Sequence, residues 1–240
     1  MQDYQVDYRK FMDGDSLAAA LAGFIAATLQ AAVTARGGAS LVVSGGSTPV
    51  PLFQALSRED IAWDKVIVTL ADERWVDPAE PDSNENLVRL HLLRNRAAAA
   101  RFVGLKTADA TARQGEEACR QRLLAIPRPF DLLVLGMGSD GHTASLFPGA
   151  AELASAIDPD SGRLCQAVRP PAASHERMTM TLPALLAARR IILLVSGREK
   201  LTILEKALAT APRSAEVLNE MPVRHVLAGA GSPVTVYWAP

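Results

Sequence analysis

His142 follows an apolar run, Leu132 to Leu135, and a turn that carries Gly136, Gly138 and Gly141; Pro148-Gly149 closes the segment soon after. A short apolar run bounded by glycine reads as a buried strand of a parallel sheet, and the glycines as a turn whose backbone approaches something closely. A histidine just past the carboxyl end of a central strand stands where open α/β sheets put their ligands. Imidazole can deprotonate a water directly when the electrophile is reactive enough to need no covalent step, as an activated ester such as a sugar lactone is. That chemistry also needs donors for the developing oxyanion, which the turn of Gly138, Asp140 and Gly141 is expected to supply. It needs a partner to orient the ring, and cations if the substrate carries phosphate.

Other strand ends carry residues of the required types. Leu41-Val42-Val43-Ser44 runs into Gly45-Gly46-Ser47-Thr48-Pro49, with Thr48 as an expected helix cap and Pro49 in the first turn. Glycines, hydroxyls and free helix N–H groups form an anion cradle, and the missing P-loop lysine disfavours a nucleoside triphosphate. Val66 to Leu70 runs into Asp72-Glu73-Arg74, charges placed where a core strand ends, so that Asp72 or Arg74 is expected in the cleft. Ile191 to Val195 leads to Ser196-Gly197-Arg198-Glu199-Lys200. Cations in a first helical turn oppose the dipole, which makes better sense if an anion lies nearby. In a parallel sheet the turns at 45–48, 72–74, 136–142 and 197–200 would face one crevice.

Several familiar chemistries lack their residues. Gly136 to Gly141 matches G-x-G-x-x-G, but Pro148-Gly149 interrupts the long helix that a dinucleotide fingerprint should open. There is no G-x-S-x-G elbow and no HExxH. Cys119 and Cys165 sit in no metal or CxxC spacing and are expected to be buried, reduced thiols. Neither a metal nor an organic cofactor is expected.

The elements that must position these turns form an alternating pattern. An Ala-rich helix is expected over Leu17 to Val33 with Ser16 as N-cap, a helix capped by Ser83 through Leu93, another over Ala110 to Ile126, and one from the 197–200 turn to about Ala209. Short strands are expected at Arg101 to Leu105, Leu164 to Val168 and Val234 to Trp238. The alternation of Met178-Thr179-Met180-Thr181-Leu182 predicts a strand with one wet face. The 240 residues show no linker or repeat, so residues 1–240 are expected to form a single α/β domain. Balanced charge, net −1, gives no global field for nucleic acid or an anionic membrane, and 21% charged residues leave no clear membrane span. The N-terminal stretch lacks the positive region of a signal peptide, so a cytoplasmic location is expected.

SGGSTP, ADERWV with its downstream SN, GMGSDGHTASLFPG, and the RMTMTLPAL and ILLVSGREK blocks, in this order, strongly resemble the 6-phosphogluconolactonase family over almost the whole chain. That family belongs to a wider group with glucosamine-6-phosphate deaminase and ribose-5-phosphate isomerase. The resemblance implies a three-layer α/β/α Rossmann-like fold with a mostly parallel sheet, and hydrolysis of a phosphorylated sugar lactone by a monomer or homodimer. It implies His142 as general base, Asp72 as an acidic position beside it, and Arg74 as a substrate-binding arginine. Gly45, Gly46, Ser47 and Thr48 would form the phosphate-side loop, with Arg177 and Lys200 as phosphate-binding cations. The deaminase branch shares GGSTP and D-G-H but continues to a glutamate where this chain has Phe147, which disfavours isomerisation with deamination. A non-catalytic sugar-phosphate sensor would usually add a DNA-binding segment, and none is visible.

Overall fold

The computed structural model describes residues 4–171, 173–209, 214–231 and 233–240. In chain order the strands and helices are β1 (Val6–Lys10), α1 (Gly14–Arg36), β2 (Ala39–Val43), α2 (Val50–Leu56), β3 (Val66–Leu70), β4 (Asp72–Arg74), α3 (Asn84–His91), β5 (Arg101–Val103), α4 (Glu116–Leu124) and β6 (Leu132–Leu135). There follow α5 (Leu153–Ile157), β7 (Cys165–Val168), β8 (Arg177–Met180), α6 (Leu182–Leu186), β9 (Ile191–Ser196), α7 (Arg198–Ala209), α8 (Ala215–Glu220), α9 (Val223–Gly229) and β10 (Val234–Ala239). Seven strands pair in the order β1-β10-β9-β6-β2-β3-β5, every pair parallel. The central strands are buried on both faces, which is why they read as unbroken apolar runs.

The strand order positions the site. From β2 the chain winds outward through β3 to β5; from β6 it winds the other way through β9 and β10. The reversal falls between β2 and β6, and a crevice opens outside the carboxyl ends of strands at such a switch point. The Ser44 N–H, donating to the Val134 carbonyl at 3.0 Å, carries the β2–β6 pairing to the lip of that crevice.

A second, antiparallel sheet, β4-β8-β7, was not foreseen. One residue, Ala71, joins the two: its N–H donates to Val43 of β2 and its carbonyl accepts from Met180 of β8. Met178, Thr179 and Met180 are all buried, so the expected wet face does not exist. Thr179 tolerates burial because its hydroxyl donates to the Met180 carbonyl and accepts from the Ser145 N–H.

Other differences are local. Asp13, not Ser16, caps α1: its carboxylate accepts the Ser16 N–H at 2.7 Å, so the helix starts earlier and runs to Arg36, where Gly37 closes it with a φ of 76°. This helix is long and apolar enough to span a membrane by length and composition, but its Leu17, Leu21, Ile25 and Leu29 are buried in the core. Thr48 does not cap α2, whose N-cap residue is Pro49 with no side-chain bond. Ser83 caps α3 as expected, accepting the Asn86 N–H. The helix expected from Ala110 is confined to Glu116–Leu124, because residues before Gly115 turn back on themselves through Thr111 and Gln114. Both cysteines are buried and free.

Candidate active site

The crevice holds a cavity of about 280 Å³ lined by Ser44 to Pro49, Asp72, Arg74, Asn84, Gly136 to Gly138, His142 to Ala144 and Lys200, over a floor of core residues that includes Leu194. All of the predicted turns therefore contribute to one wall.

The turn after β6 builds the imidazole. The Gly138 N–H donates to the His142 carbonyl at 2.9 Å and the Gly141 N–H to the Gly138 carbonyl at 3.1 Å. These bonds correct one expectation: both N–H groups are spent inside the turn, so neither Gly138 nor Gly141 is a free oxyanion donor. Asp140 has another task. Its Oδ1 accepts the His142 N–H at 3.0 Å and lies 2.5 Å from His142 Nδ1, so it orients the ring and fixes which nitrogen faces the cavity. Partial burial works to raise the Asp140 carboxyl, but the bonds from His142 win and hold it below the usual carboxylate range. A Cβ on Gly138 would lie 2.2 Å from the ring, so only glycine lets the imidazole settle there. Gly141 has a φ of 78°, and a Cβ there would lie 2.8 Å from Met221 Cβ.

The turn after β2 is the candidate anion cradle. The N–H groups of Gly45, Gly46, Ser47 and Thr48 donate to no other described residue, and Gly46 takes a φ of 93°. Lys200, in the first turn of α7, faces the same space. Unspent N–H groups with a cation opposite suit a phosphate.

The β3–β4 junction separates two neighbouring carboxylates. Asp72 lines the cavity; its Oδ2 accepts from the Ser145 hydroxyl at 2.6 Å, and its backbone carbonyl accepts from Asn84 Nδ2 at 2.8 Å. It shares the cleft with His142, but the carboxylate bonded to the ring is Asp140. Glu73 points the other way, fully buried, and accepts from the Arg74, Asn84 and Glu85 N–H groups and the Ser83 hydroxyl. Burial pushes its carboxyl up while those donors pull it back.

Arg74 lines the cavity and donates through Nη1 to the Asp82 carbonyl at 2.5 Å. Arg177 sits opposite it across the β4–β8 pair but does not line the cavity, so the structure does not bring it to the anion cradle. Burial, and then the neighbouring Arg74 charge, lower the Arg177 guanidinium. Arg177 thus stands beside Arg74 as a second, partly buried positive charge outside the cavity lining.

Sequence reasoning missed Asn84 as a site residue. It is 2% exposed, ties itself to Asp72, and presses so close to Gly45 that a Cβ there would sit 1.8 Å from Asn84 Oδ1. The signal was present in the polar Ser83-Asn84 pair opening a helix, but a cap explains such a pair equally well. Among the described residues no group of three or more His, Cys, Asp or Glu side chains forms a metal cage.

The family described as glucosamine-6-phosphate isomerases/6-phosphogluconolactonase matches residues 12–238. A 6-phosphogluconolactonase from Mesorhizobium japonicum is 45% identical over 98% of this chain and 95% of its own length. One from Pseudomonas aeruginosa is 44% identical over 92% and 89%. The crystal structure of a 6-phosphogluconolactonase from Shewanella baltica superposes with a TM-score of 0.94 at 47% identity, covering 98% of both chains.

Proposed function

Since the chain belongs to the glucosamine-6-phosphate isomerase/6-phosphogluconolactonase family, we propose that it hydrolyses 6-phospho-D-glucono-1,5-lactone to 6-phospho-D-gluconate, with His142 as general base. The observation that carries this reading is that His142, held at Nδ1 by Asp140, lines the same cavity as the 45–48 cradle.

In this mechanism the imidazole takes a proton from a water as its oxygen bonds to the lactone carbonyl carbon, and Asp140 stabilises the imidazolium. The tetrahedral intermediate collapses with cleavage of the ring C–O bond, and the imidazolium returns the proton to the departing ring oxygen. The N–H groups of 45–48 and Lys200 hold the phosphate. Arg74, with Arg177 behind it, supplies positive potential toward the oxyanion that the turn glycines cannot serve. The deaminase alternative needs a carboxylate at 147, where Phe147 instead packs its ring on His142. The substrate is a small molecule, and the reading places its turnover in the cytoplasm.

The direct test is turnover of freshly generated lactone at a pH low enough to suppress spontaneous opening. A rate no higher than background overturns the assignment, and ammonia release from glucosamine 6-phosphate would replace it by deamination.

Lys200→Ala is expected to raise KM about tenfold with kcat little changed, because a phosphate contact serves ground and transition states alike. Initial-rate kinetics decide it; an unchanged KM would make Lys200 a surface charge.

Asp140→Asn keeps the shape of the turn but removes the charge facing the imidazolium, and is expected to lower kcat by roughly a hundredfold or more. The depressed Asp140 carboxyl also fixes the pH dependence. A lowered carboxylate stabilises the fold at pH values above its ordinary 3.8 and loses that contribution only as pH falls through its still lower folded value. Asp140 therefore stays ionised across the range in which a histidine titrates. The acid limb of kcat/KM should follow one group, and a limb with two protonations would contradict this.

A further inference from the structure

The loop that follows His142 carries a strained backbone that hydrolysis as described above does not use. Ala144 has a φ of 49°, in the left-handed region that residues with a Cβ rarely adopt. The Leu146 N–H donates back to the Thr143 carbonyl at 3.0 Å, and the Thr143 hydroxyl to the Gly136 carbonyl at 2.8 Å, closing a tight loop over the end of β6. The product of that turn is one contact. The Phe147 ring comes back onto the His142 imidazole, with centroids 4.4 Å apart and planes tilted by 37°.

The imidazole is therefore held from several directions. Asp140 takes Nδ1, the bare Cα of Gly138 lies against the Cε1–Nδ1 edge, and Phe147 covers a ring face. His142 lines the cavity and Phe147 does not, so the aromatic ring reaches the imidazole from outside the cavity. A hydrogen bond at Nδ1 alone leaves the ring free to swing about that bond; a packed face removes the swing. Backbone strain persists where the surroundings over-determine it, and such outliers gather where geometry serves function.

We propose that Phe147 is a positioning residue of this site, fixing the orientation of the His142 ring, and that the left-handed turn at Ala144 exists to deliver it. The inference rests on His142 being the base.

The test compares wild type, His142→Ala, Phe147→Leu, Phe147→Met and Phe147→Tyr in kcat, KM and melting temperature, and follows the His142 Cε1–H resonance, assigned by its loss in His142→Ala. Phe147→Leu should lower kcat roughly 5- to 50-fold, the scale expected when a reacting group is misplaced by a fraction of an ångström to an ångström. KM should stay unchanged and the resonance should move. Phe147→Tyr, which keeps the ring, should recover kcat and the wild-type resonance position. Phe147→Met keeps apolar bulk without a ring and should behave like Phe147→Leu, which keeps the question open to measurement if the leucine variant folds poorly. Wild-type kcat in the leucine or methionine variant, a rise in KM at constant kcat, or a resonance that does not move would overturn the proposal. Full activity in His142→Ala would instead remove the reading on which it rests.

Discussion

His142→Ala is expected to lower kcat by roughly two to four orders of magnitude, the usual contribution of a general base, with the melting temperature nearly unchanged. The two halves of this expectation come from different parts of the structure. The ring's polar contact is to Asp140 on its own turn, and the bonds that shape the turn are Gly138 N–H to the His142 carbonyl, Gly141 N–H to the Gly138 carbonyl and the Thr143 hydroxyl to Gly136. None of these needs the imidazole, so the backbone that presents residue 142 survives its loss. The chemistry does not, because the other carboxylate in the cavity, Asp72, is engaged by Ser145 and held through its carbonyl by Asn84. Rates of lactone opening above the spontaneous background, measured beside a thermal melt of the same preparation, check both halves. A near-normal kcat would show that another group activates the water, with Asp72 as the first to examine.

Much of this site could be read in the chain because parallel strands buried on both faces leave a plain mark: Leu41 to Val43, Val66 to Leu70, Leu132 to Leu135 and Ile191 to Val195 are apolar runs, and their ends are where ligands sit. The β4-β8-β7 sheet was illegible for the opposite reason. Its strands are short, its Thr179 is buried with its hydroxyl satisfied by the Met180 carbonyl and by the distant Ser145 N–H, and alternation that normally means a wet face carried no such meaning. Roles failed to show where they depend on who holds whom. Asp140 and Gly138 occupy one turn, yet nothing in their spacing says that the carboxylate takes the ring while the glycine N–H is spent on the His142 carbonyl. Arg177 and Lys200 both read as anion-binding cations, and only the tertiary structure shows that Lys200 lines the cavity while Arg177, paired across strands with Arg74, does not.

The same dependence on partners makes Glu73→Ala the largest expected loss of stability. In sequence Glu73 is one of a run of charges beside Asp72 and Arg74. In the fold its carboxylate is fully buried and accepts the N–H groups of Arg74, Asn84 and Glu85 and the hydroxyl of Ser83, at 2.7 to 3.1 Å. Two of those N–H groups are at the start of α3, where a helix has no donors' partners of its own and where a negative charge also meets the helix dipole favourably. Alanine leaves these donors buried and unpaired around a cavity. At about 1–3 kcal/mol for each buried unsatisfied group, discounted for water entering the gap, the cost is about 3–5 kcal/mol. For a chain of this size that is a fall of roughly 6–20 °C in melting temperature. Glu73→Gln should recover only part of it, since an amide nitrogen would face donors. The consequence reaches the site: α3 carries Asn84, which touches Asp72 and Gly45, so the surviving folded fraction should show a raised KM as well. A melt unchanged within a degree would mean that the α3 terminus is held by other groups and that the β4–α3 junction is not what aligns Asp72 with the cradle.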